Sequence, residues 1–430
     1  MIYAFWWQYD VYPTLHLVGL SGLYLSFRPN SNLALVALTV SLAIDGWLQA
    51  PVYSNHTMLK NFVVLGLGAA ALETFFRKES KDWLLQRFAP YGCAILLGMY
   101  FFGIFHKLNS GFIDSDVSCA VALWNQMPIP EWAKASQALH YAGIYGTFVI
   151  EALIALSLLV YRLRAIGIMV GIAFHMMLAS SSYEFYSAFT VLAVALHSLF
   201  LRPDAHIRLL EDDRVRLAVK WLKSPLGVGI LAICLLVLSI YTALGMVTSV
   251  GLGMFIASLP LTVAIWRNPG TSGRPFTWFS IKSIWMPFLV LLYFFNGFAP
   301  YLGIKSAQSF NMFANLQLEG GHSNHYIFTK APDLYMNDLV EILDSDAIEW
   351  PFNTNDENLR LTYYSFLDQV DRSSERAQVT YRLNDGPSIT TNKSQLQAEI
   401  DRLLHSRWIR KWLHFNPVDI SSPKRCGVNF

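Results

Sequence analysis

Residues 89–107 read Ala-Pro-Tyr-Gly-Cys-Ala-Ile-Leu-Leu-Gly-Met-Tyr-Phe-Phe-Gly-Ile-Phe-His-Lys, and this stretch decides the fold class. No Asp, Glu, Lys or Arg occurs before Lys107 closes the run. As a helix rising about 1.5 Å per residue it nearly crosses a hydrocarbon core about 30 Å thick. Nine more apolar stretches follow the same rule, at 11–27, 32–49, 57–76, 138–161, 165–180, 183–201, 224–243, 245–266 and 284–303. Charge is sparse where they lie: residues 1–304 hold 19 Lys/Arg and 14 Asp/Glu, while residues 305–430 hold 13 and 16. A single water-soluble globule is excluded for the first part. With 4 Cys in the chain and a net charge of +2, a disulfide scaffold and a nucleic-acid binder are excluded too. The expected architecture is an all-α polytopic membrane domain of about ten helices over 1–304. A small α+β extracytoplasmic domain over 305–430 follows it.

Loop charges orient the chain. Loops after the odd-numbered segments hold 16 Lys/Arg, whereas those after the even-numbered ones hold only Lys60, Lys107 and Lys134. Cytoplasmic loops carry the basic excess, so both termini are expected outside. Residues 1–10 contain Asp10 and no Lys or Arg, so the first segment reads as a retained helix rather than a leader. In the tail, Asn384-Asp385-Gly386 between Val379-Thr380-Tyr381 and Ser388-Ile389-Thr390 predicts a hairpin. Leu396, Ile400, Leu403, Leu404, Trp408 and Trp412 fall at helical spacing and predict a helix over 394–413.

Ionisable groups at membrane depth are expensive, so each is a functional candidate. Asp45, Asn55-His56, Lys107 and His175 all fall in one outer layer of this topology. Lys107 is either a reactive amine or a cation that snorkels to the interface. His56 is either a site residue or part of a helix cap, and His175 either a site residue or a satisfied core histidine. Glu151, in the middle of the fifth segment, must be neutral, paired or hydrated. Glu73, with Arg77 four residues on, reads as a structural pair. His197 reads as interfacial. Glu319-Gly-Gly-His322-Ser-Asn-His325 is a polar turn on the same side as Lys107. Its paired glycines let the chain fold back, so it is expected within about 4–5 Å of the outer ends of the third, fourth or sixth segments. His322-Ser-Asn-His325 lacks the spacing of a helical metal pair, and no metal is expected. Cys119 and Cys426 both fall outside, where a bridge persists if formed; free thiols are the alternative.

Three short pieces carry a family resemblance. Phe101-Phe-Gly-Ile-Phe-His-Lys107-Leu-Asn109, continued by Phe112-Ile-Asp114 and Ser118-Cys119-Ala120, resembles the signature helix and loop of the HTTM family, which is related to the vitamin K-dependent gamma-carboxylases. Ser54-Asn55-His56 is similar to the carboxylases' Asn-Asn-His-Ser, and Phe174-His175-Met-Met to their Phe-His-Cys-Met. The likeness implies a membrane enzyme that uses reduced vitamin K or another quinol, with O2 and CO2 as cosubstrates and an extracytoplasmic peptide or protein as substrate. It implies Lys107 as the base, Asn55 and His56 as orienting groups, and His175 as a further catalytic candidate. Desolvation favours the neutral amine of a lysine, which is the form a base requires. His106 and Asn109 beside the lysine, with His322 and His325 of the later turn, are the expected substrate- or cofactor-binding groups. The chain departs from the carboxylase pattern at His106, where a second lysine is usual, and at Asn109, where an aspartate is. The competing readings are a non-catalytic membrane scaffold that binds partners or lipid and, ranked last, a transporter.

Overall fold

A computed structural model describes residues 14–28, 31–50, 54–79, 82–181, 186–201, 211–222, 283–346 and 358–421, with short pieces at 208, 224–227, 229–230, 233, 267, 348 and 423–426. The helices are α1 (Thr14–Phe27), α2 (Asn32–Gln49), α3 (Asn55–Phe76), α4 (Asp82–Phe105), α5 (Ser110–Ile113), α6 (Cys119–Asn125), α7 (Glu131–Lys134), α8 (Gln137–Leu159), α9 (Arg164–Ala179), α10 (Tyr186–Ser198), α11 (Asp213–Leu222) and α12 (Trp285–Phe298). A 3-10 turn, Ala299–Leu302, extends the last of these. Among the described residues five helical stretches are long and apolar enough to cross a membrane: Asn55–Phe76, Trp83–Phe105, Gln137–Leu159, Tyr161–Ala179 and Trp285–Leu302. Of the ten expected segments, these five reach that length among the described residues. Within the described residues the first and seventh segments contain helical stretches of 14 and 13 residues, about 20 Å long. The second has an apolar helical stretch of Leu33–Gln49, just under spanning length. The eighth and ninth lie almost wholly outside the described residues.

The chain divides into two compact units, the first comprising residues 1–48, 59–101 and 123–293. Its helices present apolar side chains outward, as lipid-facing helices do. On α8, Val149, Leu153 and Leu156 are exposed, while Ile144, Glu151, Ile154 and Leu158 are buried. Several charges among the described residues of this unit are neutralised locally. Asp45 is buried and accepts from Lys60 at 2.7 Å. Glu73 pairs with Arg77 at 2.9 Å, as the i,i+4 spacing predicted. Arg87, which lies outside the expected fourth segment, is inside α4. It is buried against Glu79, Glu73 and Thr74. With Arg87 neutralised in this way, the helix runs through Pro90 instead of beginning there.

The second unit comprises residues 49–58, 102–122 and 294–430. It is wider than the tail expected from 305 onwards, because the polar ends of α3 and α4 belong to it. Its sheet contains β1 (Leu339–Ser345), β2 (Leu359–Thr362), β3 (Gln378–Leu383), β4 (Ser388–Asn392) and β5 (Val418–Asp419). The order is β4-β3-β1-β2-β5, with every pair antiparallel. The predicted hairpin is present: β3 and β4 pair from Gln378↔Asn392 to Arg382↔Ser388, and Asn384 and Asp385 both take positive φ in the turn that joins them. Helices α13 (Tyr363–Arg372) and α14 (Lys393–Leu403) cover one face. Val340, Val379 and Tyr381 meet Phe366, Leu367, Val370, Leu396 and Ile400 there in a common core. Asn392 and Gln395 cap the start of α14 reciprocally. The helix expected over 394–413 stops at Leu403, since Leu404 is extended, and α15 (Arg407–Arg410) is a separate turn. The break frees Trp412 to stack on Phe295, at a 5.8 Å ring separation, and to donate to Asn296 Oδ1.

Residues 303–318 thread this unit without regular structure. Gly303 opens the segment at φ 67°, and a side chain there would strike the Pro332 carbonyl oxygen. Gln308, Phe310, Phe313 and Asn315 also have positive φ, between 52° and 64°. A non-glycine residue held there costs about 1–3 kcal/mol, so the surrounding contacts must impose this course.

Candidate functional site

In the second unit three of the residues singled out from sequence, His106, Asn109 and Asn55, dock on that irregular segment. His106 is fully buried. Its Nε2 lies 2.9 Å from the Ser309 carbonyl and its Nδ1 2.8 Å from the Tyr301 hydroxyl. A carbonyl only accepts, so Nε2 carries the proton and Nδ1 accepts from Tyr301. The ring is stacked between Phe102 and Tyr301, each inclined by 16°. Asn109 is equally buried. Its amide donates to the His106 and Ala314 carbonyls at 2.8 and 2.6 Å, and its Oδ1 caps α5 by accepting from the Phe112 amide. Asn55 Oδ1 accepts from the Phe310 amide at 2.7 Å, next to the carbonyl that holds His106. Among the described residues the Asn55 amide nitrogen makes no hydrogen bond. His56 is half-buried, with Ser54 Oγ 2.8 Å from its Nδ1.

Between these fixed neighbours stands Lys107, 7% exposed, its ammonium 5.6 Å from the centre of the buried Phe112 ring. A snorkelling lysine extends into water, whereas little of Lys107 is exposed. The Glu319–His325 turn folds back as the sequence predicted, with Gly320 and Gly321 both at positive φ. It reaches the end of α4. Asn324 accepts from the Ser110 amide at 3.0 Å, and His325 pairs with Asn109 in an isolated bridge. His325 Nε2 donates to the Phe105 carbonyl at 2.9 Å, while its Nδ1 accepts from the Ile327 and Phe328 amides. Burial pushes this imidazole below its usual range, partly offset by the Phe105 hydrogen bond. His322 is exposed and stands apart from these contacts. Thus His106, Asn109 and His325, expected to bind substrate or cofactor, are engaged in holding the lysine turn.

Cys119 and Cys426 form a disulfide. Around it Asn315 accepts from the Cys119 amide and donates to the Val117 carbonyl, while Lys424 Nζ donates to the Leu316 carbonyl. The end of the chain is thereby tied to α6 and to the irregular segment.

His175 lies in the first unit, in a cluster with two partners that sequence reading missed or misplaced. Its Nε2 is 2.8 Å from the Tyr100 hydroxyl, which is 3.0 Å from His197 Nε2. His197 Nδ1 donates to the Ala193 carbonyl at 2.7 Å. With both rings neutral, the Tyr100 proton points to His197, and His175 donates to the Tyr100 oxygen. His197 is therefore buried and bonded rather than interfacial, against Gly171, where a Cβ would lie 2.2 Å from its Nε2. Buried Glu151 is within electrostatic range of Tyr100.

One further residue escaped sequence reading. Lys305 is 0% exposed, with its ammonium 4.7 Å above the Trp412 ring. A signal was available: it is the lone charge between Lys282 and Glu319. Among the described residues no group of three or more His, Cys, Asp or Glu is placed to hold a metal. Comparison with family models, with curated proteins and with solved structures produced no match.

Proposed function

We propose that this chain is an integral membrane enzyme of the quinol-dependent carboxylase type, with Lys107 as its base. The observation that carries the reading is the burial of Lys107 directly beyond the membrane-length stretch Trp83–Phe105. A buried lysine in a rigid turn is a poor surface anchor and a suitable proton acceptor for an apolar acid that partitions into the same layer. Phe112 beneath the amine and the unengaged Asn55 amide fit a flat ring bearing oxygens. Asn55, oriented through the Phe310 amide, would donate to such an oxygen, with His56 beside it. His106, Asn109 and His325 keep the turn in place, and His175 belongs to a separate hydrogen-bonded chain. A quinol such as reduced vitamin K supplies, together with O2, the oxidative driving force for adding CO2 to an extracytoplasmic substrate.

The proposed topology keeps ten spans with both termini outside. The 16 to 3 asymmetry of loop charges supports it, and so does the Cys119–Cys426 bridge, which suits an oxidising compartment. A second reading, a non-catalytic scaffold, is favoured by the structural engagement of His106, Asn109 and His325. Quinol-dependent oxygen uptake separates the two. Lys107→Ala is expected to abolish it with expression and quinol affinity nearly intact. Lys107→Arg is expected not to rescue, because arginine keeps its proton at neutral pH. Full uptake in either variant would return the chain to the scaffold reading.

A further inference from the structure

We infer that Lys305 is the recognition group of a binding site for a small monovalent oxyanion of the carboxylate or bicarbonate type. Three observations of the second unit converge on it. Lys305 is fully buried, and among the described residues its Nζ has no hydrogen-bond partner. The Trp412 face lies 4.7 Å away, but a cation over an indole recovers only part of the hydration that a buried ammonium loses. The backbone that delivers Lys305 is held in an unfavourable course, with four non-glycine residues at positive φ between 308 and 315. Such concentrations of strain occur where a ligand is clamped.

The surroundings suit one negative charge and no more. Trp412 is fixed by Asn296 Oδ1 at 3.1 Å, and the Asn296 amide is fixed by the Gln308 carbonyl at 2.9 Å. This holds rigid the indole that the Lys305 ammonium overlies. His414 is half-buried, within electrostatic range of Lys305, and its backbone accepts from the Ala307 amide. Burial pushes the His414 imidazole down to about 4, so it offers one neutral N–H. Arg372, also within range of His414, is paired with Asp368. A carboxylate matches the one ammonium, whereas a phosphate dianion would leave an uncompensated charge. Burial also pushes the Lys305 amine well below its usual range, and an arriving anion restores the ammonium by supplying its countercharge.

The site does not depend on Lys107 acting as a base, and its test needs no turnover. Full-length protein in nanodiscs is titrated with [1-13C]acetate, with [13C]bicarbonate and with inorganic phosphate, following 13C or 31P line width and the thermal midpoint. Saturable acetate or bicarbonate binding that raises the midpoint of the wild type is expected, at least tenfold tighter than phosphate. Lys305→Met should weaken it at least tenfold, with an unfolding midpoint equal to or above that of the ligand-free wild type. Lys305→Arg should retain it. Equal binding by the Met variant, tighter binding of phosphate, or no saturable binding by the wild type would overturn the assignment. A Met variant that is markedly less stable without ligand would also overturn it, because Lys305 would then be an internal prop for Trp412. Should that variant fail to fold, the wild-type midpoint shift decides alone.

Discussion

Asn109→Asp is expected to destabilise the second unit by about 3–5 kcal/mol at neutral pH, although it exchanges one atom for another of nearly equal size. The Asn109 amide nitrogen donates to two carbonyls, those of His106 and Ala314, while its oxygen caps α5. A carboxylate can keep the cap, but its second oxygen would face both carbonyls and donate to neither. Two buried acceptors are orphaned and a charge is set against them. Asn109→Ala orphans the same acceptors without the charge, so it should be less damaging. The gap between the two variants should narrow as pH falls, since a protonated carboxyl can donate once. Denaturant unfolding checks this; an aspartate variant within about 1 kcal/mol of wild type would contradict the hydrogen-bond pattern. The asparagine that departs from the carboxylase pattern thus has a local physical reason.

Removing the Cys119–Cys426 bridge is expected to cost about 2–5 kcal/mol. The cysteines are 307 residues apart in sequence, so the bridge closes a long loop. Helices that stay inserted in the bilayer already restrict the unfolded chain, which places the effect below the value for a free loop of that length. Lys424 and Asn315 still hold the strand after reduction. The unit should therefore remain folded at room temperature and melt earlier. The melting temperature of Cys119→Ser/Cys426→Ser, compared with wild type with and without reductant, measures this. An unchanged midpoint would show that the polar clamp alone holds the C-terminal strand.

Much of the helical frame was legible because apolar runs and helices share their limits. Segment 32–49 is α2, and segments 138–161 and 165–180 differ from α8 and α9 by one or two residues. Spanning length was less legible, since apolar composition continues into turns where the helix has already ended. The start of α4 was hidden because Arg87 is neutralised by Glu73 and Glu79, which only folding brings near. Lys107 could be found as a lone charge closing an apolar run. Whether it snorkels depends on the backbone turn and Phe112, which have no periodic signal. The segment 303–318 could not be read at all: positive φ at Gln308, Phe310 and Phe313 runs against local preference and is imposed by tertiary contacts. Lys305, though a lone charge, stands where a helix end and a tail were expected to part.

The central claim is that Lys107 takes a proton from a quinol at the membrane boundary. Its most direct measurement is the anaerobic difference spectrum of a reduced naphthoquinone bound to the purified chain, with wild type compared against Lys107→Met. Without oxygen no turnover follows, so the spectrum reports the proton alone. The account predicts the red-shifted absorbance of the ionised quinol in wild type at neutral pH and its absence in the variant, at equal occupancy. Identical spectra from the two proteins would contradict it.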